Sequence, residues 1–212
     1  MKYFNLFSKK YKKVLAFDGG GVRAIMGVYF LKKLEQESSK SIFESFDLFI
    51  GTSAGATNAL LLGMNGSTIT DLEKIWTVDN LKKIMNQSFI DKTSIFQTRP
   101  KYSNEGKKEI LQTFFENRKI GQSLKPVVVT AYDLEARKPI LLSSYGDPEV
   151  TAVNAANASS AAPIYFPTAS MEDGRWLIDG GIATNNPSLL GYVEAKKIFS
   201  TDNIKVLGIG AG

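Results

Sequence analysis

Short apolar runs that end at glycine-rich loops alternate along this chain with longer stretches whose apolar residues recur every three to four positions. That pattern predicts strands alternating with amphipathic helices. Val14-Leu15-Ala16-Phe17 is the first run and stops at Asp18-Gly19-Gly20-Gly21, a strand feeding a glycine loop. Ile25, Val28, Tyr29, Leu31 and Leu34 follow with helical spacing and predict a helix from Ala24 to about Ser38. A second strand is expected over 46–50, a turn of small residues over 51–55 and a buried helix over 56–62. Thr70 with Glu73 has capping-box spacing and predicts another helix start. An amphipathic helix is read over 104–117, with Phe114 and Phe115 in the core. The β-branched run 126–131 predicts a third strand and 139–142 a fourth. A further strand, Trp176-Leu177-Ile178, ends at Asp179-Gly180-Gly181. Asn186 before Pro187 reads as an N-cap and first-turn proline, opening a helix to about Phe199 before a last strand over 205–209. Strands alternating with helices imply an α/β layer architecture around a largely parallel sheet.

No repeat and no linker rich in Pro, Gly or Ser interrupts the 212 residues, so one domain is expected. Cysteine and histidine are both absent. Disulfides, thiolate zinc sites, a cysteine nucleophile, an imidazole base and a Ser-His-Asp triad are therefore excluded, and acid–base chemistry must run on Asp, Glu, Lys or Tyr. The net charge of +5 is concentrated at the start. Residues 1–13 hold Lys2, Lys9, Lys10, Lys12 and Lys13 and no acid, interleaved with Tyr3, Phe4, Leu6, Phe7 and Tyr11. Such an arm suits an anionic lipid surface or nucleic acid, and a frayed terminus is the plainer reading. The rest of the chain is charge-balanced, so nucleic acid is not expected as a partner. The sequence has no apolar stretch near the roughly 20 residues needed to span a bilayer. Nor does it show the apolar core of a secretory signal, and the expected location is the cytoplasm or a membrane periphery.

Gly51-Thr52-Ser53-Ala54-Gly55 is G-x-S-x-G between an expected strand and an expected helix, the context of a nucleophile elbow. Its bland alternative is a glycine packing turn. Gly19, Gly20 and Gly21 expose backbone N–H groups at a strand end, which suits an oxyanion hole or a phosphate cradle. Gly19, Gly21 and Ala24 also fit a dinucleotide fingerprint, but the acid that should close the second strand is missing. Asp179-Gly180-Gly181 is by itself a turn. Without histidine, however, some other group must take a serine nucleophile's proton, and a carboxylate at another strand end is the economical candidate. No carboxylate cluster suggests a metal, no cofactor is expected, and the lysines read mostly as solvated faces.

The ordered blocks Asp-Gly-Gly-Gly-x-Arg (18–23), Gly-Thr-Ser-Ala-Gly (51–55), the Ser-Ala-Ala-Pro segment within 158–167 and Asp-Gly-Gly (179–181) together resemble the patatin-like phospholipase family. The resemblance implies a three-layer α/β sandwich with helices on both faces of the sheet. It also implies a lipid acyl hydrolase acting on a phospholipid or other fatty-acyl ester, with a peripheral membrane surface as a further partner. Carried over by position, it makes Ser53 the nucleophile, Asp179 the base, and Gly19, Gly20, Gly21 and Arg23 the oxyanion or substrate-binding loop. Gly51 and Gly55 frame the elbow, Gly180 and Gly181 complete the aspartate motif, and the 159–167 block is expected to pack behind the site. A catalytically silent lipid-binding or regulatory module is the alternative. Ala24 stands where the family usually has glycine, and the domain over 14–212 is expected to lack the family's usual C-terminal extension.

Overall fold

A computed structural model describes residues 11–86 and 99–211. Most of the basic arm lies outside the described residues. Its last two lysines do not behave as an arm: β1 spans Lys12–Phe17, and Asp47 accepts from Lys13 N at 2.8 Å and from Lys12 Nζ at 2.9 Å. After β1 come α1 (Ala24–Ser38), α2 (Ile42–Ser45), β2 (Leu48–Gly51), α3 (Ala54–Asn65), α4 (Ile69–Ile75) and α5 (Val78–Ile84). Then α6 (Glu105–Phe115), β3 (Val127–Asp133), β4 (Lys138–Ser143) and α7 (Ala152–Ser159) succeed one another. The chain ends through β5 (Ala169–Ser170), β6 (Trp176–Asp179), α8 (Ser188–Phe199) and β7 (Ile204–Ile209).

Strands β7, β1, β2 and β3 lie side by side and parallel, as the α/β alternation requires, while β4, β6 and β5 extend the sheet with antiparallel pairings. Alternation along β1 builds two cores. Val14 and Ala16 face α8, together with Leu48, Ile50 and Val128. Leu15 and Phe17 face the opposite layer, packing with residues of α1, α3, α4, α6 and α7. Both faces are therefore covered, which explains why these strands read as unbroken apolar runs. The result is the expected three-layer sandwich, with Phe115 at 0% exposure and Phe114 packed against the core. Among the described residues, no helix is long and apolar enough to cross a membrane.

The two edges of β3 are used differently. β4 pairs with β3 along 128–133 and so occupies one whole edge of that strand. The other edge is shared: β2 takes residues 127–129, with Gly51 opposite Val129, and antiparallel β6 takes 131–133, with Asp179 opposite Ala131. The C-terminal ends of β2 and β6 thus arrive two residues apart on the same edge.

Local expectations shift in a few places. The capping box is Thr68 with Asp71, not Thr70 with Glu73: Thr68 Oγ1 accepts from Asp71 N at 3.2 Å and Asp71 Oδ2 accepts from Thr68 N at 3.1 Å. Ile69, Leu72 and Ile75 are all buried, and the start at Ile69 brings all three onto one helical stripe. At α8 the first helical residue is Ser188, and Asn186 Oδ1 accepts from Ser188 N at 3.0 Å, so the asparagine caps from one position further out. The helix α7, absent from the sequence reading, is almost wholly buried and made mostly of alanine and small polar residues.

Candidate active site

The turn from β2 into α3 forces Ser53 to φ 56°, ψ −126°, outside the regions open to ordinary L-residues. Two glycines make the sharp turn possible. A Cβ on Gly51 would sit 2.3 Å from Gly55 O, and one on Gly55 would sit 2.5 Å from Asp18 O. The turn is held from behind by hydroxyls. Thr130 Oγ1 donates to Thr52 Oγ1 at 2.9 Å, and Thr52 Oγ1 donates to the carbonyl of Thr184 at 2.9 Å, tying β3, β2 and the segment after β6 together. The strained backbone predicts an order of stabilities. Ser53→Gly and Ser53→Ala both lose the hydroxyl, but only alanine keeps a Cβ at positive φ. Ser53→Gly is therefore expected to be more stable by about 1 kcal/mol in urea unfolding, and equal midpoints would show that the turn carries no strain.

The convergence of β2 and β6 places Ser53 Oγ 2.7 Å from Asp179 Oδ2, with the hydroxyl donating. The other carboxylate oxygen, Oδ1, accepts from Gly181 N at 2.7 Å, so Asp-Gly-Gly is more than a turn: it fixes the carboxylate's orientation. Burial pushes the Asp179 carboxyl above its ordinary 3.8, opposed by hydrogen bonds from Ser53 and Gly181 and by the positive charge of Lys107.

The glycine loop lies across from this pair. Gly19 N donates to Asn185 O at 3.0 Å and Asn185 Nδ2 donates back to Gly19 O at 3.1 Å, anchoring the loop beside the segment that carries Asp179. Gly21 adopts φ 56°, and the amides of Gly20 and Gly21 donate to no group among the described residues. Arg23 is exposed and forms no ion pair among the described residues.

Two cavities meet at Ser53. One, of about 340 Å³, is bounded by Gly19, Gly20, Arg23, Asp179, Gly181 and Asn185. The other, of about 480 Å³, runs between the glycine loop, α3, α5 and α6 and is mostly apolar, with Ile75, Trp76, Leu81, Ile84, Leu111 and Phe166 in its wall. This volume falls within the range of small-molecule pockets.

One sequence expectation needs correction and another has an exception. The Ser-Ala-Ala-Pro block does not simply pack behind the site. Ser159 Oγ accepts from Ser53 N at 2.9 Å, and Ser160, Ala162, Tyr165 and Phe166 line the larger cavity, because α7 ends directly against the Ser53 turn. Nor are all lysines solvated. Lys107 is 4% exposed and lines the same cavity, and burial drives its ammonium down to about 7. Its signal was present in the sequence: with Ile110, Leu111 and Phe115 it falls on the apolar stripe of α6.

A family model described as Patatin-like phospholipase matches residues 15–190. The chain is similar to Patatin-like protein 4 of Arabidopsis thaliana, 30% identical over 220 residues, covering 92% of this chain and 54% of that protein. It is also similar to the cGAMP-activated phospholipase of Pseudomonas aeruginosa, 31% identical over 206 residues, covering 93% of this chain and 61% of that protein. It thus spans only a little over half the length of these relatives. Among solved structures, VipD from Legionella pneumophila shares the fold, with a TM-score of 0.62 at 15% identity over 95% of this chain and 50% of that one. With the ordered motifs, the Ser53–Asp179 contact and the match over most of its length, the chain belongs to the patatin-like phospholipase family.

Proposed function

We propose that this chain is a lipid acyl hydrolase of phospholipase A or lysophospholipase type, with Ser53 as nucleophile and Asp179 as its base. The observation that carries the reading is the 2.7 Å hydrogen bond from Ser53 Oγ to Asp179 Oδ2, at the junction of an apolar cavity and a loop with unpaired amides. Ser53 Oγ attacks the ester carbonyl carbon as its proton passes to Asp179, and the carbonyl oxygen becomes an oxyanion facing the N–H groups of Gly20 and Gly21. Collapse breaks the ester C–O bond, Asp179 returns the proton to the leaving alkoxide, and the acyl group stays on Ser53. Water then attacks the acyl-enzyme, giving its proton to Asp179, and the fatty acid leaves as the Ser53 hydroxyl is restored.

Magnitudes favour this division of labour. An ordinary aspartate is a weaker base than histidine by about 2.6 pKa units, roughly 3.5 kcal/mol of proton-transfer driving force. One oxyanion donor contributes about 3–4 kcal/mol, and burial of Asp179 recovers part of the basicity. The larger cavity would take the acyl chain, and the exposed Val22 and Tyr165 on its wall suit a lipid delivered from a membrane surface. The names of the relatives, patatin-like proteins and phospholipases, agree with a lipid ester as substrate.

A fluorophosphonate probe tests the reading. The purified protein is expected to form one covalent adduct, located at Ser53 by peptide mass spectrometry, and to release fatty acid from phospholipid vesicles. No adduct, or an adduct at another serine, would remove Ser53 as nucleophile. Because the base must be ionised, the rate is expected to rise with pH along an acid limb whose midpoint lies above 3.8.

A further inference from the structure

We propose that Lys107 is a positioning residue for the Ser53–Asp179 pair: its buried ammonium fastens the end of α7 to α6 and holds a positive charge in the electrostatic field of the Asp179 carboxylate. This deepens the hydrolase reading and rests on it. The geometry centres on three consecutive residues. Ser159 Oγ accepts from Ser53 N at 2.9 Å, Ser160 O accepts from Lys107 Nζ at 3.0 Å, and Ala161 O accepts from Asp179 N at 3.1 Å. One short segment therefore touches the proposed nucleophile, the lysine and the proposed base. Lys107 is the side chain that secures it to the neighbouring helix, with a longer contact to Ser160 Oγ at 3.3 Å and the Phe166 ring 4.0 Å from Nζ.

A buried ammonium is costly, and no carboxylate forms a salt bridge with Lys107 among the described residues. Among the described residues, the charged groups around it are few. Asp179 attracts its proton from β6 and Lys108 of its own helix repels it. The helix α7 carries no charge, and Asp79, Lys82 and Lys83 of α5 are exposed. Arg23, Tyr102 and Tyr165 complete the titratable groups of the cavity wall. Among the described residues, Asp179 is thus the carboxylate whose charge Lys107 feels. The Lys107 charge in turn favours ionised Asp179, the form a base must have, against the burial that opposes it.

The test compares wild type with Lys107→Met and with Lys107→Gln, which keeps a donor for Ser160 while removing the charge. Ile110→Ala, a core truncation on the same helix, serves as the structural control. Two readouts are taken: the acid limb of kcat/KM for a soluble fatty-acyl ester, and the titration of the Asp179 side-chain carboxyl by carbon-13 NMR. Both neutral variants are expected to move both midpoints up by about 1 pH unit, while Ile110→Ala moves neither. Unmoved midpoints in a folded neutral variant overturn the proposal. So does loss of the fold in both neutral variants while Ile110→Ala folds, which would make Lys107 part of the scaffold alone. If wild type hydrolyses no ester, the hydrolase reading fails separately, and the carboxyl titration still decides the charge on Asp179.

Discussion

Ser53→Ala is expected to lower ester turnover on the order of 10⁶-fold, the scale on which loss of a serine nucleophile removes covalent catalysis. Binding should persist, because the apolar cavity walls are untouched and the Ser53 side chain supplies only a hydroxyl at the junction. Residual activity is expected to come from the glycine-loop amides and the positioning of substrate beside them. The measurement is fatty-acid release by the purified variant against wild type, with vesicle or monomer binding monitored in parallel. A loss of less than tenfold would mean that the acyl group never resides on this oxygen.

Asp179→Asn is expected to cost on the order of 10⁶-fold in kcat, the scale on which a serine hydrolase suffers when its general base is removed, with the fold retained. The substitution keeps the shape of the side chain and an oxygen for the Gly181 N–H, so circular dichroism and thermal midpoint should change little. What it removes is the group that can take the Ser53 proton across the 2.7 Å contact. Combining it with Ser53→Ala should cost no more than Ser53→Ala alone, because the two side chains serve one step. Additive losses in the double variant would place Asp179 in a different step. An Asp179→Asn protein that kept its turnover would leave the proton with another base, a role no histidine can fill here.

Much of the architecture is legible along the chain. The apolar runs at 14–17 and 126–131 are strands because both of their faces are covered, and the helix expected from Ala24 to Ser38 has those bounds in the structure. Glycines at 51 and 55 announce a tight turn because backbone atoms approach where a Cβ would sit. The misplaced capping box at Thr70 has an equally physical origin. Thr-x-x-Glu and Thr-x-x-Asp spacings overlap there, and the helix start at Ile69 chooses between them. Helix α7 escaped because its burial is made by neighbours distant in sequence, whereas Lys107 stood legibly on the apolar stripe of α6 and only the groups it meets there were hidden.

By itself, then, the sequence determined the layers, the glycine turns and the absence of imidazole, since each depends on local sterics, on periodicity or on composition. Tertiary structure alone decided which groups meet. Ser53 and Asp179 are 126 positions apart, and they touch because β4 fills one edge of β3 and leaves β2 and β6 to end together on the other. Lys107 became part of the same site only when α6 packed on α7, because burial and electrostatic coupling belong to the assembled fold and not to any short stretch of chain.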